Sequence, residues 1–180
     1  SAIGHLNSDS ATAFGNDGEP VVAGDGNGHW IAVWESDAPF GLDDDDEYDV
    51  HMARSSNSGA TWGSVEVLNN DSDAISWDTR PYIATDGKGH WVAVWMSTSD
   101  LAGGNLDHYD IHVARSTDNG DTWSDPAALH TNAKIGPSMD FYPIVKTDGN
   151  GNWMCAWESN NTLGGTVGDD YDILFSISAD

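Results

Sequence analysis

Basic residues are scarce in this 180-residue chain, in which 6 lysines and arginines stand against 30 aspartates and glutamates, for a net charge of -24. Nucleic acid and anionic membranes are therefore poor partners, because binding them requires clustered lysine and arginine. Three interpretations of the acidity stay open: a solvated surface that maintains solubility, for example in a salty habitat; cation binding, with calcium as the first candidate; and recognition of a cationic partner.

Cysteine is also scarce, and long apolar runs and helical periodicity are missing. The single cysteine, Cys155, excludes an intrachain disulfide. No stretch approaches 18 apolar residues, so no membrane span is expected. Residues 1–4 carry neither a charged segment nor an apolar core, so no signal peptide is expected in this chain, although one could already have been removed. The 20 glycines and nine tryptophans instead suit a protein with many tight turns and a large core.

A repeat of about sixty residues organises the chain. Segment 24–34 recurs at 85–95 and at 147–157, and the first tryptophans of the three copies are 61 and 62 residues apart. A Tyr-Asp-Val/Ile marker keeps the same steps, at Tyr48, Tyr109 and Tyr171. We therefore predict one domain over 1–180, a partial propeller with repeats at approximately 8–68, 69–130 and 131–180.

Each copy is predicted to contain four short antiparallel strands. In the middle copy they are expected at 80–84, 91–96 and 110–115 and around 127–129, with glycine-rich tight turns after the first and third. Four such strands, repeated radially, make the blade of a β-propeller, so the predicted class is all-β with about three blades. Cys155 matches Ala32 and Ala93 and is expected to be a small buried packing residue. His29 and His90 are repeat equivalents that we attribute to strand packing and not to metal binding.

The second tight turn carries the most specific motif. Its sequence resembles the Asp-box, Ser-x-Asp-x-Gly-x-Thr-Trp, of the sialidase-like propellers, also called bacterial neuraminidase repeats. The short Asp or Asn side chain can accept backbone N–H bonds within its own turn, and the tryptophan packs beneath it. The matching residues are Ser116, Asp118, Gly120, Thr122 and Trp123; a variant, Ser55, Asn57, Gly59, Thr61 and Trp62; and the beginning of a third box, Ser178 and Asp180.

The resemblance implies that the Asp-boxes are structural and that the opposite face carries any substrate site. The loops between second and third strands, at 37–47, 98–108 and 160–170, are expected on that opposite face. Calcium is a candidate cofactor there, because carboxylate oxygens are its preferred ligands. The candidate metal residues are Asp43, Asp44, Asp45 and Asp46.

The family's catalytic set is depleted. Sialidases of this kind use three arginines, a tyrosine nucleophile with a partner glutamate, and an aspartate as acid/base. Here Arg54 and Arg115 directly precede the Asp-boxes and are expected to form surface or blade-to-blade pairs. Arg80 and its repeat equivalents, Glu19 and Tyr142, are expected to line the mouth of the central channel as ligand-binding residues and weak catalytic candidates.

The resemblance therefore implies a non-catalytic, secreted or cell-surface module for binding or scaffolding, with glycans as candidate ligands. The alternative is an exo-sialidase-type glycoside hydrolase that acts as an assembled propeller. Three blades do not close a ring, since propellers usually have four to eight. Residues 3–7 resemble the tail of a fourth strand, and the third blade lacks one. We expect a homo-oligomer, a dimer with six blades, unless the sequence is a fragment of a longer chain.

Overall fold

The computed structural model describes residues 3–6, 15–38, 47–69, 76–99, 101, 108–130 and 138–179. Within these ranges the regular elements are all strands, and no helix long and apolar enough to cross a membrane is found among them. The strands are β1 Asp17–Gly24, β2 Trp30–Ser36, β3 Asp49–Ser55, β4 Glu66–Val67, β5 Asp78–Thr85, β6 Trp91–Ser97, β7 Asp110–Ser116, β8 Ala127–Ala128, β9 Asp140–Thr147, β10 Asn152–Ser159 and β11 Asp172–Ala179.

These strands form three antiparallel sheets, one for each sequence repeat. Blade 1 has the order β1-β2-β3-β4, blade 2 has β5-β6-β7-β8, and blade 3 has β9-β10-β11 in the part of the chain that the structure describes. The predicted all-β fold of about three propeller blades is confirmed. The predicted strands of the middle repeat are also found, each within two residues of its expected bounds.

The second strand of blade 2 lies between the sheets of blades 1 and 3, which explains why it is apolar on both faces. All seven residues of β6 are buried, and Trp91 and Trp95 are fully buried. Burying a valine, isoleucine or methionine side chain of this kind contributes about 1.5–3 kcal/mol, so the seams between blades hold the array together.

The two seams have matching composition. In the first seam, the face of blade 1 packs on the tryptophan-bearing face of blade 2; in the second, blade 2 packs on blade 3 in the same way. The first contains Ile31, Val33, Val50, Met52 and Leu68 against Ile83, Trp91, Ala93, Trp95 and Ala114. The second contains Ala84, Val92, Val94, Met96, Ile111 and Val113 against Val145, Trp153, Cys155 and Trp157.

Strand register gives each blade two distinct ends. At the turn end of blade 1, Trp30 pairs with both Gly24 and Ser55, and the turn after β3 bonds to the hairpin after β1 through Ser58 N–H and Gly28 O, 2.8 Å apart. At the loop end, Ser36 pairs with Asp17 and Asp49. The first residues of β1, β5 and β9 therefore lie at the end opposite the Asp-box turns.

The segment expected to be the tail of a fourth strand is described only for residues 3–6, which form no strand. Leu6 nevertheless packs against Trp34, Ala53 and their neighbours on the outer face of blade 1. Leu68 and Leu129 make the corresponding contacts in the two seams. The segment thus keeps the packing role of a strand tail without its hydrogen-bonded ladder.

Candidate functional site at the inner-strand bulges

A bulge near the start of each innermost strand points one side chain away from the regular ladder. The residue before the proline has a positive φ in every blade: 46° at Glu19, 53° at Arg80 and 55° at Tyr142. The register shifts at the same points in all three blades. Positive φ is uncommon for residues other than glycine and costs about 1–3 kcal/mol, and bulges commonly re-aim side chains. The repeat keeps this strained backbone while the side chain at its tip differs in each blade.

The three bulge side chains meet. The Arg80 guanidinium lies 3.1 Å from Glu19 Oε1, and its carbon lies 4.9 Å from the centre of the Tyr142 ring. The Arg80 backbone N–H donates to Glu35 Oε2 at 2.9 Å, which satisfies the donor that the bulge removes from the ladder. A glutamate of β2 in blade 1 therefore supports the bulge of blade 2.

These residues line an open cavity of about 330 Å³ across the inner strands. The prolines of the bulges and Tyr82 complete much of its wall, and Lys146 lies 4.9 Å from the centre of the Tyr82 ring. The Glu19 and Arg80 side chains remain 47% and 42% exposed, and Tyr142 is also exposed. The site therefore offers a donor fork, a carboxylate and accessible aromatic rings to a polar ligand with apolar patches.

The other two arginines do not reach this cavity. Arg54 pairs with Ile31 in the ladder, one position from the turn end, and its guanidinium bonds to Asp121 of blade 2. Arg115 occupies the equivalent position in β7 opposite Val92, with an exposed side chain. The expected blade-to-blade pair is found for Arg54, and the three arginines of the chain do not form one cluster.

The residues that resemble the Asp-box build their own turn. Asp118 Oδ1 accepts from Ser116 Oγ at 2.8 Å and from Thr122 N–H at 2.9 Å, and its Oδ2 accepts from Thr122 Oγ1 at 2.6 Å. These bonds, those to Thr122 first, lower the pKa of Asp118 from 3.8 to about 2. In blade 1, Asn57 Oδ1 likewise accepts from Thr61 N–H at 2.9 Å, whereas Asn57 Nδ2 donates to Thr61 Oγ1 at 2.7 Å.

The rest of the Asp-box set occupies matching places. The Gly59 and Gly120 N–H groups donate to Ser55 Oγ and Ser116 Oγ. Trp62 and Trp123 pack beside the blade cores. Ser178 pairs with Trp153 in the ladder, and Asp180 lies outside the described residues.

The prediction that His29 and His90 serve strand packing is wrong. His29 Nδ1 lies 2.7 Å from Asp25 Oδ2, and His90 Nδ1 lies 2.8 Å from Asp86 Oδ2, within the hairpins after β1 and β5. Asn152 makes the same closure with Asp148 in blade 3. Each histidine side chain hydrogen-bonds to the aspartate four residues earlier, so these histidines stabilise the hairpins.

Two further expectations have different outcomes. Cys155 is buried, and burial raises the pKa of its thiol to about 12, which fits a packing residue and not a nucleophile. The acidic run with Asp43, Asp44, Asp45 and Asp46 lies outside the described residues, so calcium binding there stays a prediction.

Sequence reasoning missed a network beside each bulge. The first residue of the innermost strand accepts a hydrogen bond from the indole N–H of the last tryptophan in the second strand. The pairs are Trp34–Asp17 at 3.0 Å, Trp95–Asp78 at 2.6 Å and Trp157–Asp140 at 3.2 Å. An Asp-x-x-Pro spacing, present in all three repeats, was the available signal.

Comparison with known structures agrees with this architecture. The chain is similar to a Hadza microbial sialidase, with a TM-score of 0.65 and 18% identity over 98% of this chain and 37% of that one. It is also similar to the α-L-arabinanase of Penicillium chrysogenum, with a TM-score of 0.57 and 13% identity over 90% and 46%. For the Trypanosoma rangeli sialidase the TM-score is 0.55, with 15% identity over 91% and 28%.

No family model matches the sequence, and no curated protein matches it. The chain spans less than half the length of the three structures just named. At these identities the likeness establishes the fold alone: the chain is a partial β-propeller whose fold is similar to that of sialidases and an arabinanase.

Proposed function

We propose that this chain is a non-catalytic, sialidase-like propeller module that binds glycans outside the cell, with the ligand at the channel mouth. One observation carries the proposal: three identical bulges present Glu19, Arg80 and Tyr142 to one open cavity. The bulged backbone is the same in the three repeats, whereas the side chain that it presents differs in each one. That combination suits a binding surface that varies on a fixed scaffold.

The chemistry of the cavity suits sugars. An arginine fork donates to hydroxyl groups, a carboxylate accepts from them, and the faces of Tyr142 and Tyr82 can cover the apolar C–H patches of a sugar ring. The charge of Arg80 is already paired with Glu19, and the chain carries a net charge of -24. Both features favour a neutral oligosaccharide over an acidic one.

The non-catalytic part of the proposal is supported by the placement of the arginines. A sialidase resembling the family standard needs three of them around the substrate carboxylate, and only Arg80 lines the cavity. Arg54 and Arg115 lie toward the turn end of their strands. The alternative, an exo-sialidase-type hydrolase, would need its other arginines from further blades.

Equilibrium binding tests the ligand site. Isothermal titration with arabinobiose and with sialic acid should show binding of the neutral sugar, and Arg80→Ala should weaken it at least tenfold, which corresponds to about 1.4 kcal/mol. Arg115→Ala is the matched control, since it removes an exposed arginine at the other end of blade 2. Equal loss in both variants, or no binding of either sugar, would contradict the proposal.

Turnover separates the two candidate functions. The protein should release no fluorophore from fluorogenic sialosides or arabinosides. Hydrolysis of the sialoside that Arg80→Ala abolishes would establish the hydrolase instead.

The proposed module also needs further blades, because its two outer faces carry uncovered seam residues. On blade 3, Ile173 and Phe175 are 70% and 62% exposed, whereas their equivalents Ile111 and Val113 are buried in the second seam. On blade 1, Trp30 is 39% exposed, whereas its equivalent Trp91 is fully buried. Apolar faces of this kind normally mark an interaction site.

A second copy of the chain supplies the matching surfaces. The outer face of blade 3 corresponds to the face that blade 1 uses in the first seam, and the outer face of blade 1 corresponds to the face that blade 2 offers there. Two copies related by a twofold axis would therefore form two more seams of the same kind and close a ring of six blades. The ring would bring two sets of Glu19, Arg80 and Tyr142 around one channel.

A further inference from the structure

The seam between blades 2 and 3 contains a compact set of potential metal ligands. Asp110 begins β7, Asp140 begins β9, and His130 follows β8 by two residues. One ligand atom of each lies within 4.8 Å of the other two. Asp140 is fully buried, Asp110 is 6% exposed, and the His130 side chain is 14% exposed. Burial of two carboxylates beside an imidazole is costly unless a proton or a cation compensates their charge.

The equivalent place in the first seam shows one way to compensate it. There Asn69 replaces the histidine, and its Nδ2 donates to Asp49 Oδ1 at 2.8 Å and to Asp78 Oδ2 at 2.9 Å. One amide thus bridges the two carboxylates with its two hydrogens. The amide nitrogen has no lone pair available for a metal ion, so the two carboxylates of the first seam are bridged by hydrogen bonds.

His130 changes that chemistry. Its Nε2 lies 2.8 Å from Asp140 Oδ2, and a neutral imidazole nitrogen can be either a donor or a metal ligand. Ligand atoms about 2.0–2.2 Å from a tetrahedral zinc ion lie roughly 3.3–3.6 Å apart, so this pair would open by roughly 0.5–0.8 Å to reach a ligating geometry.

Trp157 orients both residues. Its indole N–H donates to Asp140 Oδ1 at 3.2 Å, which leaves Oδ2 directed at His130. The His130 ring stacks on Trp157 with a centroid distance of 5.2 Å and an interplanar angle of 6°. Outer contacts that fix ligand orientation in this way are typical of metal sites. His130 and Trp157 also line a cavity of about 260 Å³ along β11, which gives an ion a route to the site.

We propose that Asp110, His130 and Asp140 bind a divalent transition metal of the zinc type and that the ion fastens blade 3 to blade 2. The ligand set is one imidazole nitrogen and two carboxylate oxygens, which suits zinc better than calcium, since calcium prefers oxygen alone. The proposal goes beyond glycan binding, because the cavity beside Arg80 is lined by other residues.

Metal titration of the whole chain tests the proposed site. After dialysis against EDTA, calorimetric titration with zinc chloride should show one tight equivalent, and cobalt(II) should give visible absorption from the same site. His130→Asn, which copies Asn69, should fold and lose that equivalent with at least a tenfold drop in affinity. If His130→Asn does not fold, Asp110→Asn replaces it in the test and should show the same loss of zinc affinity.

His90→Asn is the matched control, because it copies Asn152 and removes an exposed histidine outside the seam. It should leave the tight equivalent unchanged. The proposal would be overturned if His130→Asn bound zinc as the wild type does, if His90→Asn lost the same equivalent, or if the wild type bound zinc no more tightly than calcium.

Discussion

Arg80 of blade 2 lies 3.1 Å from Glu19 of blade 1, so an ion pair joins the two innermost strands beside the open cavity. Both side chains are more than two-fifths exposed, and exposed pairs contribute about 0–1 kcal/mol. Arg80→Ala should therefore change the free energy of unfolding by less than about 1 kcal/mol, measured by urea denaturation. A larger loss would mean that weakened glycan binding in this variant reflects unfolding.

Buried indole–carboxylate pairs should contribute far more than this ion pair to the free energy of unfolding. Trp95 donates to Asp78, which is fully buried, whereas Trp34 donates to the exposed Asp17. Trp95→Phe removes a donor from a buried carboxylate, which costs about 1–3 kcal/mol beyond the loss of packing. Urea denaturation should show Trp95→Phe to be more destabilising than the matched Trp34→Phe, and equal effects would refute this account of the seam.

His112 should make stability depend on pH. It is fully buried, and burial, followed by the charge of His130, lowers its pKa from 6.5 to about 4. Between pH 4 and pH 6.5, His112 is therefore protonated in the unfolded chain and neutral in the folded chain. Its contribution to stability is complete above pH 6.5 and decreases as pH falls to 4, by about 3 kcal/mol.

His112→Leu copies Leu174, the equivalent residue of blade 3, and should remove this component. Denaturation of the wild type and of His112→Leu at several pH values isolates the contribution of His112, because the two proteins share all other titrating groups. Parallel pH profiles for the wild type and the variant would contradict the assignment.

The Asp-box carboxylate should titrate at unusually low pH. The pKa of Asp118 is lowered to about 2, so the stabilisation by its turn is present above 3.8 and is lost as pH falls toward 2. Carboxyl ¹³C chemical shifts should give a midpoint near 2 for Asp118. Asp118→Asn should keep the turn, as Asn57 does, and a midpoint near 3.8 would show that the turn does not form.

Much of this fold could be predicted from repetition alone. The 61- and 62-residue steps between Trp30, Trp91 and Trp153 fixed the blade count, and strand positions followed from the glycine turns. The residues expected at the channel mouth also lie together in the structure, because equivalent positions of a radial array converge on its axis.

Other features depend on contacts between repeats and could not be predicted. The Asn69-to-His130 exchange is visible in the sequence, but only the fold brings each residue between two carboxylates. The pairing of His90 with Asp86 was missed because His90 directly precedes the apolar strand and was assigned to it, whereas its partner lies across the hairpin turn. Positive φ at Arg80 is likewise a property of the bulge, and the N–H of Arg80 donates to Glu35, a residue of another blade.

The uncovered face of blade 3 should make the proposed assembly sensitive to a single substitution. Phe175→Glu places a charge in the surface proposed to meet a second copy, where Phe175 is now 62% exposed. The variant should remain folded and become monomeric, as measured by size-exclusion chromatography. Leu101→Glu, at an exposed apolar residue in the β6–β7 loop, should leave assembly unchanged.

Molar mass by light scattering tests the central claim, a six-bladed ring of two copies with its glycan site at the shared channel. Because two chains of -24 repel each other, added salt should promote their association. The account predicts a mass of twice the 19.2 kDa chain in moderate salt. A stable monomer at all salt concentrations would contradict it and would assign the missing blades to a longer chain.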